Sequence, residues 1–183
     1  MIRDFVKQKL GNQSGFTLIE MLVVVIILGI LAMIIVPQIT VSTDDARLST
    51  LQTNLATVRS AIELYAAQHS DVYPGKHNNT TGADAVSDPE AKTAFLAQMT
   101  LFSNIFGVTS STKDPVNFPF GPYLKLGPNI LPENEYAASA DVVCNLAQND
   151  LSAVRAVAGT GEGWQYFPEL GIFFANDANH LGL

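Results

Sequence analysis

Residues 14–38 read SGFTLIEMLVVVIILGILAMIIVPQ, from Ser14 to Gln38, and set one carboxylate, Glu20, near the start of an apolar run that continues to Val36. An acidic side chain at the centre of a membrane helix costs on the order of 2.5–3.5 kcal/mol on insertion scales. A chain that keeps one uses it. Length decides what the run is. Met21–Val36 has 16 residues, and a helix of that length rises about 24 Å, short of a hydrocarbon core of about 30 Å. Adding Phe16–Glu20 gives 21 residues and about 31 Å, a full span, so the crossing segment includes Glu20.

The flanks orient it. Arg3, Lys7 and Lys9 stand against Asp4 before the run, and no basic residue follows until Arg47. That asymmetry puts the N-terminus in the cytoplasm and the rest of the chain outside. Three kinds of segment compete: a cleavable secretory signal, a plain anchor, or a segment that is cut and kept. A secretory signal wants small residues in an A-x-A pattern after its apolar region, and PQITVSTDDA after Val36 lacks it.

Composition narrows the rest. The chain has 183 residues, 48% hydrophobic and 15% charged, enough for one globular domain beside a long helix and not the balance of a disordered chain. The formal charge is −7, with no Lys/Arg cluster outside the N-terminus, so nucleic acid is not an expected partner. The lone cysteine, Cys144, excludes an intrachain disulfide framework and a cysteine-rich zinc site and reads as a small buried hydrophobe.

Gly15-Phe16-Thr17-Leu18-Ile19-Glu20 followed by MLVVVIILGILAMIIVP resembles the class III signal of type IV pilins and type II secretion pseudopilins. The resemblance is close from Gly15 to Pro37 and looser to about Gly75. It implies a leader, residues 1–15, cut by a prepilin peptidase between Gly15 and Phe16, with N-methylation of the new amine on Phe16. It implies a filament-core helix half over residues 16–43 and an exported head over 44–183. It implies that Glu20 pairs with the N-terminal amine of a neighbouring copy, and that Gly29 and Pro37 form a hinge. An internal pairing between the Phe16 amine and Glu20, one turn apart, is the local alternative. The fold implied is α+β: a long transmembrane and amphipathic helix packed on a small antiparallel sheet.

Beyond Asp44-Asp45 the pattern turns amphipathic. Leu48, Leu51, Leu55, Val58, Ile62 and Tyr65 recur at spacings of 3 and 4, one helical stripe, while Gln52, Arg59, Ser60 and Glu63 fall away from it. One helix from Phe16 to about Ser70 is expected, stopped by Val72-Tyr73-Pro74-Gly75. Ser87-Asp88-Pro89-Glu90 reads as a second helix start with a capping box, and Phe95, Met99, Phe102 and Phe106 as its apolar stripe. Strands are expected at Gly121–Leu126 and Ala153–Ala158. Gly163–Phe167, Pro168–Gly171 and Ile172–Ala175 form a hairpin.

Catalytic chemistry finds no foothold. His69, His77 and His180 share no metal-ligand spacing and read as solvated. Gly159–Gly163 is glycine-rich, yet no Lys-Ser/Thr follows it, so it fails as a phosphate loop and reads as a turn. The Asn78-x-Thr80 and Asn79-x-Thr81 patterns fit glycosylation but are common by chance. No cofactor is expected; Asp141, Asp150, Glu162 and Asp177 leave calcium open, since hard cations take oxygen ligands. The expectation is a non-enzymatic filament subunit, made as a single-pass inner-membrane precursor. It would self-assemble with the help of a prepilin peptidase and an inner-membrane assembly platform. A type II secretion pseudopilus is the first expectation and a type IV pilus for adhesion, motility or DNA uptake the second. A membrane-anchored periplasmic enzyme or binding protein is the rival from another class.

Overall fold

The computed structural model describes residues 15–150, 161–177 and 179–180, and of residues 34–42 the backbone alone. The leader's basic flank and the expected strand at Ala153–Ala158 lie outside the described residues. The chain divides into two compact units between Asp44 and Asp45. One helix, α1, Leu18–Gln68, belongs to both, and Gly29 and Pro37 lie within it.

In the first unit every large apolar side chain from Phe16 to Met33 faces outward, with exposures from 47% at Leu31 to 86% at Leu18. Contiguous apolar surface of this kind marks a membrane or protein contact. Among the described residues no helix is long and apolar enough to cross a membrane. The apolar stretch of α1 whose side chains are described, Leu18–Met33, rises only about 24 Å.

The second unit buries the stripe that the spacing predicts. Leu51, Leu55, Val58, Ile62 and Tyr65 are each at most 1% exposed, while Leu48 is half-buried. The expected stop at Val72–Gly75 comes too late. Ser70 and Asp71 already adopt left-handed φ values of 58° and 62°, and Asp71 N–H closes the helix end on Ala66 O at 2.9 Å. A short polar residue tolerates that conformation, and it ends a helix as glycine does.

Helix α2, Asp88–Thr100, begins with Pro in its first turn. The capping box expected there is half made: Ser87 gives no side-chain cap, and Glu90 Oε2 accepts the Val86 N–H at 2.9 Å. The predicted stripe also breaks. Phe95 and Met99 are fully buried, but α2 ends before Phe102, and Phe106 is 64% exposed. Ala91, Ala94 and Gln98 complete the buried face instead.

Two small sheets follow. Strands β1 (Phe102–Ser103) and β2 (Thr109–Ser110) pair antiparallel. Strands β3 (Val142–Cys144), β4 (Trp164–Phe167) and β5 (Ile172–Ala175) form the second, in the order β3-β4-β5. The expected hairpin is β4–β5, with Trp164 opposite Ala175 and Tyr166 opposite Phe173. The sheet is mixed rather than antiparallel, because β3 runs parallel to β4. Register then does the packing: Val142, Trp164 and Ala175 form one cross-strand row and Cys144, Tyr166 and Phe173 the next. Side chains alternate faces along a strand, so both rows share one face, and all six residues join the core built on the α1 stripe, Phe95 and Met99. Phe95 stacks on Tyr166 with centroids 4.2 Å apart. The polar ends of the buried aromatics are satisfied, Tyr166 Oη donating to Pro74 O and Trp164 Nε1 to Pro132 O, both at 2.8 Å.

The predicted strand at Gly121–Leu126 is not one. Gly121 is left-handed at φ 75° and Pro122 has no N–H, so no ladder can run through it; instead the Tyr123 and Leu124 N–H groups both reach Met99 O. Arg59, off the α1 stripe, is half-buried. Its Nε donates to Phe173 O at 3.0 Å and its guanidinium lies 5.9 Å from the Phe174 ring centroid, tying the β5 edge to α1.

Gln98, fully buried, holds two loop segments to α2 through three backbone groups. Its Nε2 donates to His77 O (2.9 Å) and Gly107 O (2.8 Å), and its Oε1 accepts the Gly75 N–H at 2.7 Å. Gln98→Leu takes that partner from three backbone groups and is expected to destabilise the chain by about 2–3 kcal/mol. The shift in the urea unfolding midpoint measures it.

Candidate functional site

The start of α1 is set by two residues that satisfy each other. Thr17 is the N-cap: the Glu20 N–H reaches its Oγ1 at 3.3 Å. Glu20 reaches back, and its Oε2 accepts both the Thr17 N–H and the Thr17 hydroxyl at 2.8 Å. This is a reciprocal capping box, in which two otherwise orphaned helix-terminal donors find partners. A carboxylate at a helix N-terminus also meets the positive end of the helix dipole. Both bonds use Oε2, and Oε1 takes part in neither. A carboxylate offers about four lone-pair sites, so it keeps capacity for a third donor.

Residues 15–17 precede the helix, which puts the Gly15–Phe16 peptide bond in non-helical backbone just ahead of the cap. An added Cβ at Gly15 would meet nothing within 4 Å, so no packing in the chain itself demands glycine there. In the uncut chain the Phe16 nitrogen is a peptide amide rather than an amine, and Thr17 is the residue bonded to the Glu20 carboxylate. Gly29 and Pro37 are interior positions of α1, and a Cβ at Gly29 would also meet open space.

Two of the other acidic candidates are paired within the chain. Asp141 pairs with Lys92 at 2.7 Å and Asp177 with His180 at 2.5 Å. Among the described residues no three His, Cys, Asp or Glu side chains are placed to hold a metal ion. Asn78 Oδ1 accepts the Thr80 and Thr81 N–H groups while its Nδ2 donates to Glu90, so the amide that glycosylation would need is already engaged. Asn79 contacts Thr109. Of the histidines expected to be solvated, His69 is only 2% exposed. Burial is the opposite of what its polar type suggests, and it is met by hydrogen bonds to Tyr65 O and Ser103 Oγ.

Residues 10–36 match the family described as prokaryotic N-terminal methylation motif. The chain is also similar to type II secretion system core protein G of Pseudomonas aeruginosa, 45% identical over 54 residues, which covers 30% of this chain and 38% of that one. The same-named protein of Vibrio cholerae is 39% identical over 67 residues, 37% of this chain and 45% of that one. A type IV narrow pilus major component of Thermus thermophilus is 43% identical over 55 residues, 30% and 47% of the two chains. The matched stretch thus spans less than half the length of each of these three relatives. No solved structure matches the chain. Over its N-terminal segment, the chain is similar to proteins of the type IV pilin and pseudopilin class.

Cys144 lies in β3 and is 2% exposed. Burial pushes its thiol up to about 12, and only the thiolate attacks electrophiles. The native chain is therefore expected to resist iodoacetamide at pH 8, while the urea-unfolded chain reacts as an ordinary cysteine. Mass spectrometry of the two samples measures the difference.

Proposed function

We propose that this chain is a structural subunit of a type II secretion pseudopilus. It is made as a single-pass inner-membrane precursor with its N-terminus in the cytoplasm and its head outside. A prepilin peptidase cuts between Gly15 and Phe16, and the new Phe16 amine is methylated. The mature chain then polymerises through the apolar half of α1, with the membrane and an inner-membrane assembly platform as its other partners and no enzymatic step of its own.

The observation that carries this reading is the geometry at Glu20. Its carboxylate is oriented by Thr17 and retains an oxygen outside the capping box. Cutting at Gly15 leaves the Thr17 amide intact, so the box survives processing. A neighbour's N-terminal ammonium then docks on an acceptor that is already aimed. In a water-poor bundle that charge-assisted contact is far stronger than in solvent. The outward apolar side chains from Phe16 to Met33 supply the non-directional part of the attraction, about 1.5–3 kcal/mol for each one fully buried. The carboxylate supplies register.

The relatives called core protein G support the secretion branch. The Thermus relative, a pilus component by name, supports a type IV pilus as the second reading.

Gly15→Ala is expected to leave an uncut precursor, seen by mass on membrane fractions. Glu20→Ala is expected to be cut normally and to fail at assembly. Loss of a charge-assisted contact at every addition weakens each step by about tenfold or more. Sheared-filament yield measures this, and wild-type yield from Glu20→Ala would defeat the pairing account.

A further inference from the structure

We propose that His69 is a pH-operated latch: its neutral imidazole fastens the 101–124 segment to the C-terminal end of α1, and acidification releases it. The ring follows directly on α1 and lies flat on Tyr65, one helical turn back, with centroids 3.7 Å apart. Phe120 and Tyr123 close the other sides at 5.0 and 6.4 Å. Its Nδ1 sits 2.9 Å from Tyr65 O and its Nε2 3.1 Å from Ser103 Oγ. A carbonyl only accepts, so Nδ1 carries the proton, and Nε2 is left to accept the Ser103 hydroxyl.

That single hydroxyl sits at the centre of the segment it holds. Ser103 pairs with Thr109 on one side and exchanges backbone hydrogen bonds with Phe120 on the other, at 3.0 and 3.1 Å. Ser103 is itself fully buried. Tyr123 adds a second tie to the same helix end, its hydroxyl donating to Gln68 Oε1 at 2.6 Å.

Protonation reverses the arrangement. Nε2 becomes a donor, the Ser103 hydroxyl must turn round to accept, and a cation enters an aromatic enclosure. The titratable groups around the ring are Tyr65 from α1, Tyr123 from the 119–124 segment and His77 from the following loop. No carboxylate is among its described hydrogen-bond and ring partners. Burial is the main force holding the imidazole below its usual range; the Tyr65 and Asn104 carbonyls pull the other way and His77 adds to the depression. The open state binds the proton more readily than the closed one. The latch is therefore intact above the ordinary histidine value of 6.5 and weakens as pH falls below it, by up to about tenfold in open population per pH unit.

Amide-exchange protection at residues 101–110 and 119–124, in the full-length chain in detergent micelles, tests this between pH 7 and pH 5 after correction for intrinsic exchange. Wild type is expected to lose several-fold to tenfold protection per pH unit below about 6.5. His69→Phe keeps a ring on Tyr65 without a titrating nitrogen and is expected to show no such slope. A flat wild-type profile, or an equal slope in His69→Phe, overturns the latch. Should His69→Phe fail to fold, the wild-type imidazole resonance decides alone: titration well below 6.5 supports the proposal, and titration at or above it overturns it.

Discussion

Two hydrogen bonds from Thr17 to Glu20 Oε2 set the conditions for everything the N-terminal segment can do. They fix the first turn of α1 at Leu18, leave the Gly15–Phe16 bond outside the helix, and hold the carboxylate in one orientation. An acid in apolar surroundings is costly when alone. Here it is never alone. In the assembly we propose, a neighbouring subunit has only to add charge to a preset acceptor, a step that costs little reorganisation and tolerates little error in register.

The same helix meets opposite demands along its length. From Leu18 to Met33 its large apolar side chains point outward, with no covering element among the described residues. After Asp45 they are matched by two cross-strand rows, Val142, Trp164, Ala175 and Cys144, Tyr166, Phe173. A head whose stripe is saturated has no spare apolar surface on that face to offer. Between Met21 and Met33 the other half of the helix exposes apolar side chains along its length. This division suits a subunit that packs through its stalk and displays its head.

Sequence pattern foretold the elements that depend on local period. The α1 stripe from Leu51 to Tyr65 and the β4–β5 hairpin are where the spacing puts them, because a 3.6 or 2 residue period survives any tertiary context that buries one face. The capping signature was less faithful. At Ser87–Glu90 the spacing is present, yet Ser87 makes no cap and Glu90 reaches one residue too far back. At Thr17–Glu20 the same S/T-x-x-E spacing is present and both halves form. Pairings between distant segments were beyond any local pattern: the parallel β3–β4 contact, the backbone partners of Gln98, and the burial of His69 against Ser103, 34 positions away. The Gly121–Leu126 strand failed for a local reason, since a left-handed glycine and a proline deny the ladder its donors.

The account turns on where a neighbour's amine lands. A cryo-electron microscopy map of the assembled filament, fine enough to place side chains, measures this directly. It should show the Phe16 nitrogen of one subunit within about 4 Å of the Glu20 carboxylate of the next, the reach of an ion pair, with Thr17 still bonded to that carboxylate. A mature chain beginning elsewhere, or a Glu20 facing lipid or solvent with no amine near it, would contradict it.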